Sequence, residues 1–331
     1  MEANIKSNKM FRIAVVTLFI LTQSGVSFSQ SGDAKNDRQA AQHSDTTIHK
    51  KFVTTAPRLG GVTVTNTFIP VKADGNTFSI QMPTVDISIP VYKNFRTKHP
   101  ILFKAGVRYQ GLILSDEQKI GSNAFHSISI PLLFSYSLSR ATNFAVITST
   151  SFNSDYKREM KAEDILYTVG FRVGIHQNRK FKYGVTLAYT KGYSGTFLLP
   201  IPDIDWTINQ HLILTAILPV RATLKYKLSE VHSLGVTAWL AGNNMYRLNE
   251  AEKEQYIHLQ QTNAGIIYDA RLGQRWKFSL TAGYTLMQKL QTFDMDQKIS
   301  FNRFADLNHR NANISYQEKS FVVQTGISYQ F

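Results

Sequence analysis

The sequence predicts an all-β fold: a transmembrane, antiparallel, up-and-down β-barrel of about twelve strands, spanning residues 58–331. Three observations lead there. From Leu59 onward, apolar residues alternate with polar or small ones over stretches of roughly 10 to 18 residues, longer than the five or six usual in soluble strands. The connections between these stretches alternate between short and long. Beyond residue 29 no apolar run is long enough for a helical span, so any crossing must be made by strands.

The elements follow in order. Residues 1–29 read as an export signal, with Lys6, Lys9 and Arg12 ahead of the apolar core Ile13–Leu21 and small residues at Ser27 and Ser29. Residues 30–57 are polar and aperiodic, a flexible leader on the periplasmic side. The strands are then placed at 59–68, 78–91, 100–114, 124–138, 142–154, 165–177, 180–190, 211–228, 231–243, 255–269, 275–288 and 318–331. Residues 181–190 show the pattern well: Phe181, Tyr183, Val185, Leu187 and Tyr189 oppose Lys182, Gly184, Thr186, Ala188 and Thr190. In 211–228 the apolar residues stay in phase from Leu212 to Leu228. The second strand changes phase near Pro83, which suggests a bulge. Pro90, Pro131 and Pro219 sit mid-strand and also point to bulges or kinks, since proline cannot donate to a ladder.

Short polar connections fall at 139–141, 178–179, 229–230 and around Gly273, with a longer first one at 92–99. The others, 69–77, 115–123, 155–164, 191–210, 244–254 and 289–317, are longer. Membrane barrels have short turns on the periplasmic side and long loops outside, so this rhythm puts both termini in the periplasm. Aromatic residues gather near strand ends, where two interfacial girdles would lie: Tyr136, Phe181, Tyr226, Trp276 and Tyr329 on one side, Tyr109, Tyr167, Tyr189, Trp239, Tyr256 and Tyr284 on the other.

The last strand alternates Phe321, Val323, Thr325, Ile327, Tyr329, Phe331 and closes the chain on an aromatic residue. Gln324, Gly326, Tyr329 and Phe331 occupy the four fixed positions of a C-terminal assembly signal. In this the chain resembles integral outer-membrane β-barrel proteins of Gram-negative bacteria, in general style those of Bacteroidota-type barrels. The resemblance implies the outer membrane as location, the barrel-assembly machinery as a partner, and pairing of the last strand with residues 59–68.

The net charge of +14 falls only slightly when the signal is removed and points to anionic partners. For an exported chain these are outer-membrane lipid, lipopolysaccharide or small anionic solutes, not nucleic acid. Absence of cysteine excludes disulfides, thiolate metal sites and a lipidated N-terminal Cys. If the apolar faces meet lipid, Lys104, Arg108, Arg172, His176, Lys182, Arg221, Lys225 and Lys277 face the lumen with Lys227, against fewer acids such as Asp86 and Asp269. Two readings stay open for this set. It forms a narrow passive pore that favours anions, or it lines a closed barrel, paired with carboxylates, that acts through its outer loops.

The segment 191–210 carries Phe197, Leu198, Leu199 and Trp206, unusual in a solvated loop. It is expected to plug the mouth, to lie on the membrane or a partner, or to extend a neighbouring strand. His126 lies near Ser122 and Ser127, and His211 is placed at an outer strand end, but no nucleophile motif accompanies them. No enzyme activity, cofactor or metal site is predicted.

Overall fold

The computed structural model describes residues 60–73, 75–117, 119–249, 254–297 and 311–331. The expected export signal and leader lie outside these residues. The strands are β1 (Gly61–Ala73), β2 (Asn76–Asn94), β3 (Ile101–Ser115), β4 (Ala124–Ser137), β5 (Thr142–Ser154), β6 (Ile165–His176), β7 (Phe181–Gly192) and β8 (Gly195–Thr207). They continue as β9 (Leu212–Ile217), β10 (Arg221–Lys227), β11 (His232–Leu248), β12 (Gln255–Leu272), β13 (Trp276–Asp294), β14 (Ile314–Tyr316) and β15 (Phe321–Gln330). From β1 to β13 each pairs antiparallel with its sequence neighbours, β14 pairs with β13, and β15 closes the ring by pairing with both β13 and β1. The closing register runs from Gly61 opposite Gln330 to Phe68 opposite Val323, and the Phe331 N–H donates to the Gly60 carbonyl at 3.3 Å. Because β14 continues the line of β15 along β13, the ring has fourteen strands.

The extra pair of strands arises at one place. Residues 211–228 do not form a single strand: Leu218–Val220 is a turn, and β9 and β10 fold back on each other. Residues 191–210 are not a long loop, because β7 and β8 meet at a tight turn through Tyr193 and Ser194. Parity survives the correction. The connections at one end are 95–100, 138–141, 177–180, 208–211, 228–231 and 273–275, all short. At the other end 116–123, 155–164 and 295–313 are longer, but β1 and β2, β7 and β8, and β9 and β10 are joined by only two or three residues, so the long connection expected at 69–77 is mostly strand.

Paired residues share a face of the sheet, so the registers separate outside from inside. Outside, Val169, Phe171, Val185, Leu187, Val236 and Ile266 are exposed and apolar. Only hydrocarbon accepts a continuous band of this kind on a folded protein. At the short-turn end the band is edged by rings: Trp276 packs at a tilt against Tyr329 (4.8 Å), Phe181 edge-on to Trp206 (5.9 Å), and His99, His211 and His232 each stack on a tyrosine of the adjoining strand. Trp239 and Tyr256 do not join the outer girdle. Trp239 faces the lumen, and Tyr256 is covered by other residues of the chain.

Inside, the barrel has two levels. Toward the long-loop end, Ile69, Val71, Phe78, Ile80, Leu112, Leu114, Phe125, Tyr246, Leu259 and Leu290 form one fully buried cluster. This explains the phase change in β2. Its pairing with β1 runs through Pro83 with no register shift, so there is no bulge there. Phe78, Ile80 and Met82 point inward to this core, whereas Val85 and Ile87 point outward to lipid. The irregularity near Pro90 is real, lying between Pro90 and Tyr92, and Pro131 pairs in register.

The upper core forms because the wall contracts. The end of β11 leaves the ring and bridges to the end of β5, Arg247 opposite Ser154, with the Asp155 N–H donating to the Arg247 carbonyl. At that level the wall consists of β1 to β5, β11 to β13 and the β14–β15 line, nine strands. With strand spacing near 4.8 Å and a tilt near 40°, fourteen strands give a backbone radius of about 14 Å and nine give about 9 Å. A ring of eight or so strands is just filled by its own side chains, so the collar is solid while the wider level below it is not. Leu259→Ala, a truncation inside the collar, is expected to cost about 2–5 kcal/mol. Urea titration of the micelle-refolded protein should show this as a lowered midpoint, while lipid-facing Val185→Ala stays near the parent.

Candidate functional site

Below the collar, inward-facing positions on β2 to β8 keep contact with water, and most charged lumen residues lie at this level. Arg108 is 51% exposed and donates through Nε to Asp86 at 2.6 Å. Arg172, 22% exposed, forms a two-pronged pair with Asp203, Nε at 2.9 Å and Nη2 at 2.6 Å. Its Nη1 donates to Asn143 Oδ1 at 3.3 Å. The guanidinium lies flat along the wall because its neighbours in the ladder are Gly174 and Gly184, where a Cβ would overlap it. Lys104 lies opposite Pro90 in register, and His176 opposite Lys182, with Lys182 also opposite Asp205 on β8.

A second group lies on the β9–β13 side and is sealed. Lys225 bonds to Asp269, Lys277 lies 3.1 Å from the same carboxylate, and the Ser279 hydroxyl donates to it at 2.6 Å. All three charges are nearly fully buried. Buried charges persist only when paired and hydrogen-bonded, so this cluster holds β10, β12 and β13 together rather than offering free cations. Between the two groups, Arg221 reaches across the lumen to Gln324 Oε1 at 3.4 Å and lies over the Trp239 ring at 5.9 Å.

The other residues singled out in the sequence fall as follows. Gln324 faces inward and donates to Thr67 Oγ1 at 3.0 Å. Gly326 faces Thr65, and Tyr329 lies between Trp276 and Phe331. Phe197, Leu198, Leu199 and Trp206 are strand residues of β8, alternating between lumen and lipid. His211 is at the short-turn end, not the outer end, with Nδ1 3.2 Å from the Lys227 carbonyl. His126 bonds to the Tyr109 hydroxyl at 2.8 Å, while the Ser127 hydroxyl donates to Asn153. Among the described residues, no three histidine or carboxylate groups are placed to hold a metal.

The sequence reading missed the clasp that holds the collar shut. Arg247 points outward from β11, where a charge facing lipid is costly; that position was the available signal. It does not face lipid. The turn Ala162–Asp164 folds over it, and Arg247 donates to Asp164 at 2.6 Å and to Glu254 at 2.7 Å, with Lys161 joining Glu254 at 2.7 Å. Beside it Asn249 donates its backbone N–H to Asp155 and its amide to Ser154 and Asp155. Leu166 and Tyr193 pack with Tyr256, Phe293 and Met295 to complete a second layer over this end of the wall.

A family model described as "Domain of unknown function (DUF6268)" matches residues 72–330. No curated protein matches the chain by sequence. Solved structures that it resembles include a NanC porin (8% identity, 82% of this chain and 100% of that one, TM-score 0.37). Others are the Pseudomonas putida toluene transporter TodX (9%, 92% and 95%, TM-score 0.33) and the translocator domain of the autotransporter NalP from Neisseria meningitidis (13%, 89% and 95%, TM-score 0.30).

Arg247→Ala leaves Asp164 buried without its cation and is expected to cost about 3–5 kcal/mol, seen as a lower temperature for loss of the folded band on a denaturing gel. Acid should act in the same direction. The hydrogen bond from Lys161, then the charge of Arg247, hold the Glu254 carboxyl below its ordinary range. Its contribution is therefore complete above the unfolded pKa of about 4.3 and is lost as pH falls through the lower folded value. Melting of the parent between pH 7 and pH 3 should show this loss, and Glu254→Gln should reduce it.

Proposed function

The chain belongs to the DUF6268 family, and we propose that it is a gated channel: a basic vestibule opens at the short-turn end, and the clasped collar closes the other. The closed barrel with its lipid-facing band places the protein in the bacterial outer membrane, where barrels of this kind reside. In this reading the short-turn end and both termini face the periplasm, and residues 1–29 and 30–57 deliver and tether the chain there. Gln324, Gly326, Tyr329 and Phe331 then form the signal read by the assembly machinery.

The observation that carries the proposal is the excess of inward-facing cations. Lys104, Arg108, Arg172, Lys182, Arg221, Lys225, Lys227 and Lys277 oppose Asp86, Asp203, Asp205 and Asp269. Counted together, these groups leave a net positive charge on the inner wall among the described residues, and the guanidinium groups of Arg108 and Arg172 stay in contact with water. A field of this sign draws small anions into the vestibule and repels cations. The filled collar favours the second reading, a closed barrel that acts through its long-loop end and outer-membrane lipopolysaccharide.

Planar-bilayer recording separates the two. The parent is expected to be mostly closed. Arg247→Ala, checked for folding by its heat-dependent mobility shift, should open many times more often, with a reversal potential on the anion side in a salt gradient. Adding Arg172→Glu should move that potential toward zero. A folded Arg247→Ala protein that stays silent, or passes cations preferentially, would overturn the channel reading.

A further inference from the structure

The wall of the barrel has a notch. Strands β9 and β10 span only 6 and 7 residues, whereas β8 has 13 and β11 has 17. Above Pro202, β8 pairs only with β7, and above Leu240 the facing edge of β11 has no strand beside it until the bridge at Arg247. At about 3.3 Å per residue and a tilt near 40°, the 7 residues of β10 lift the hairpin tip about 18 Å above the short turns. An apolar band of such barrels is about 25 Å tall, so the notch begins inside the hydrocarbon.

Its chemistry suits that depth. An unpaired strand edge in lipid leaves polar groups unsatisfied, and the sequence removes some of them. The Pro202 carbonyl accepts from the Leu218 N–H at 2.8 Å, so position 202 aims its backbone at the notch side, and so does position 200 two residues on. Both are proline and carry no N–H. Leu199 and Ile217 point into the lumen at the notch rim yet are 42% and 43% exposed, an apolar patch in an otherwise polar interior. Beneath it, Arg221 donates to Gln324, lies over the Trp239 ring and feels the charge of Asp269 at longer range, and no carboxylate lies within ion-pair distance of it among the described residues. The Trp239 indole N–H is buried with no acceptor among them. A guanidinium and an indole N–H, both short of an acceptor, lie side by side at the foot of an apolar opening.

We propose that this notch is a lateral site for a long-chain carboxylate, entering from the membrane with its chain along Leu199, Ile201 and Ile217 and its head on Arg221 and Trp239. The site does not depend on axial conduction, so it stands or falls apart from the channel reading. A variant with Trp206→Phe and Trp276→Phe keeps Trp239 as the single tryptophan. Refolded into phosphatidylcholine vesicles, it is titrated with a dibrominated C18 carboxylate, whose bromines quench nearby indole fluorescence. Saturable quenching is expected, weaker by about tenfold or more for the methyl ester and for Arg221→Gln, the size of a lost charge-assisted hydrogen bond. Arg221→Lys should restore part of it and guards against misfolding as the cause. No quenching by the carboxylate, or equal quenching by acid and ester, would overturn the site. So would equal quenching by brominated phospholipid alone, since bulk lipid would then fill the notch.

Discussion

Unpaired backbone is costly in hydrocarbon, and away from the notch between β8 and β11 that constraint organises the rest of the molecule. It requires β15 to find β1, which sets the ring, the registers and the sorting of alternate side chains to lipid or lumen. Once the ring is closed its circumference fixes what the interior holds. Fourteen strands leave a space that side chains do not fill, and nine leave none. The bridge from β5 to β11 is therefore the decisive internal contact. It changes the number of strands in the wall partway up and so turns a hydrated vestibule into a dry core. Arg247, Asp164 and Glu254 matter because they hold that bridge.

Much of this was legible in the sequence. The alternation in residues 165–190, the short connections and the aromatic ending gave the barrel, its antiparallel order and its closure. The strand count fell short for a physical reason. Leu212, Leu214 and Ala216 face lipid before the Leu218–Val220 turn, and Ala222, Leu224 and Tyr226 face lipid after it, so a hairpin kept the phase of a single strand. Residues 195–207 were hidden differently, because Phe197, Leu199 and Ile201 put apolar side chains on the lumen face, and both faces then look alike.

The collar was invisible for a related reason. Alternation tells which residues share a face but not whether that face is wet, and the apolar residues of β1 and β2 simply change sides near Pro83. Contacts such as Asn153 to the Met245 carbonyl, or Tyr316 to Glu117, join segments far apart in sequence and leave no local pattern. The alternation groups these charged residues on one face of the sheet, while their division into a sealed cluster and a wet one depends on that same collar.

The chain has no native cysteine, so single cysteines report on one position at a time. The most direct measurement is the labelling of Thr186→Cys, Leu259→Cys and Val185→Cys in vesicles by a membrane-impermeant maleimide and by a lipid-soluble one. Thr186→Cys is expected to react with the impermeant reagent, Leu259→Cys with neither in the folded protein, and Val185→Cys only with the lipid-soluble one. Rapid labelling of Leu259→Cys by the impermeant reagent in the clasped protein would contradict a dry collar, and with it the closed state on which this view of the barrel rests.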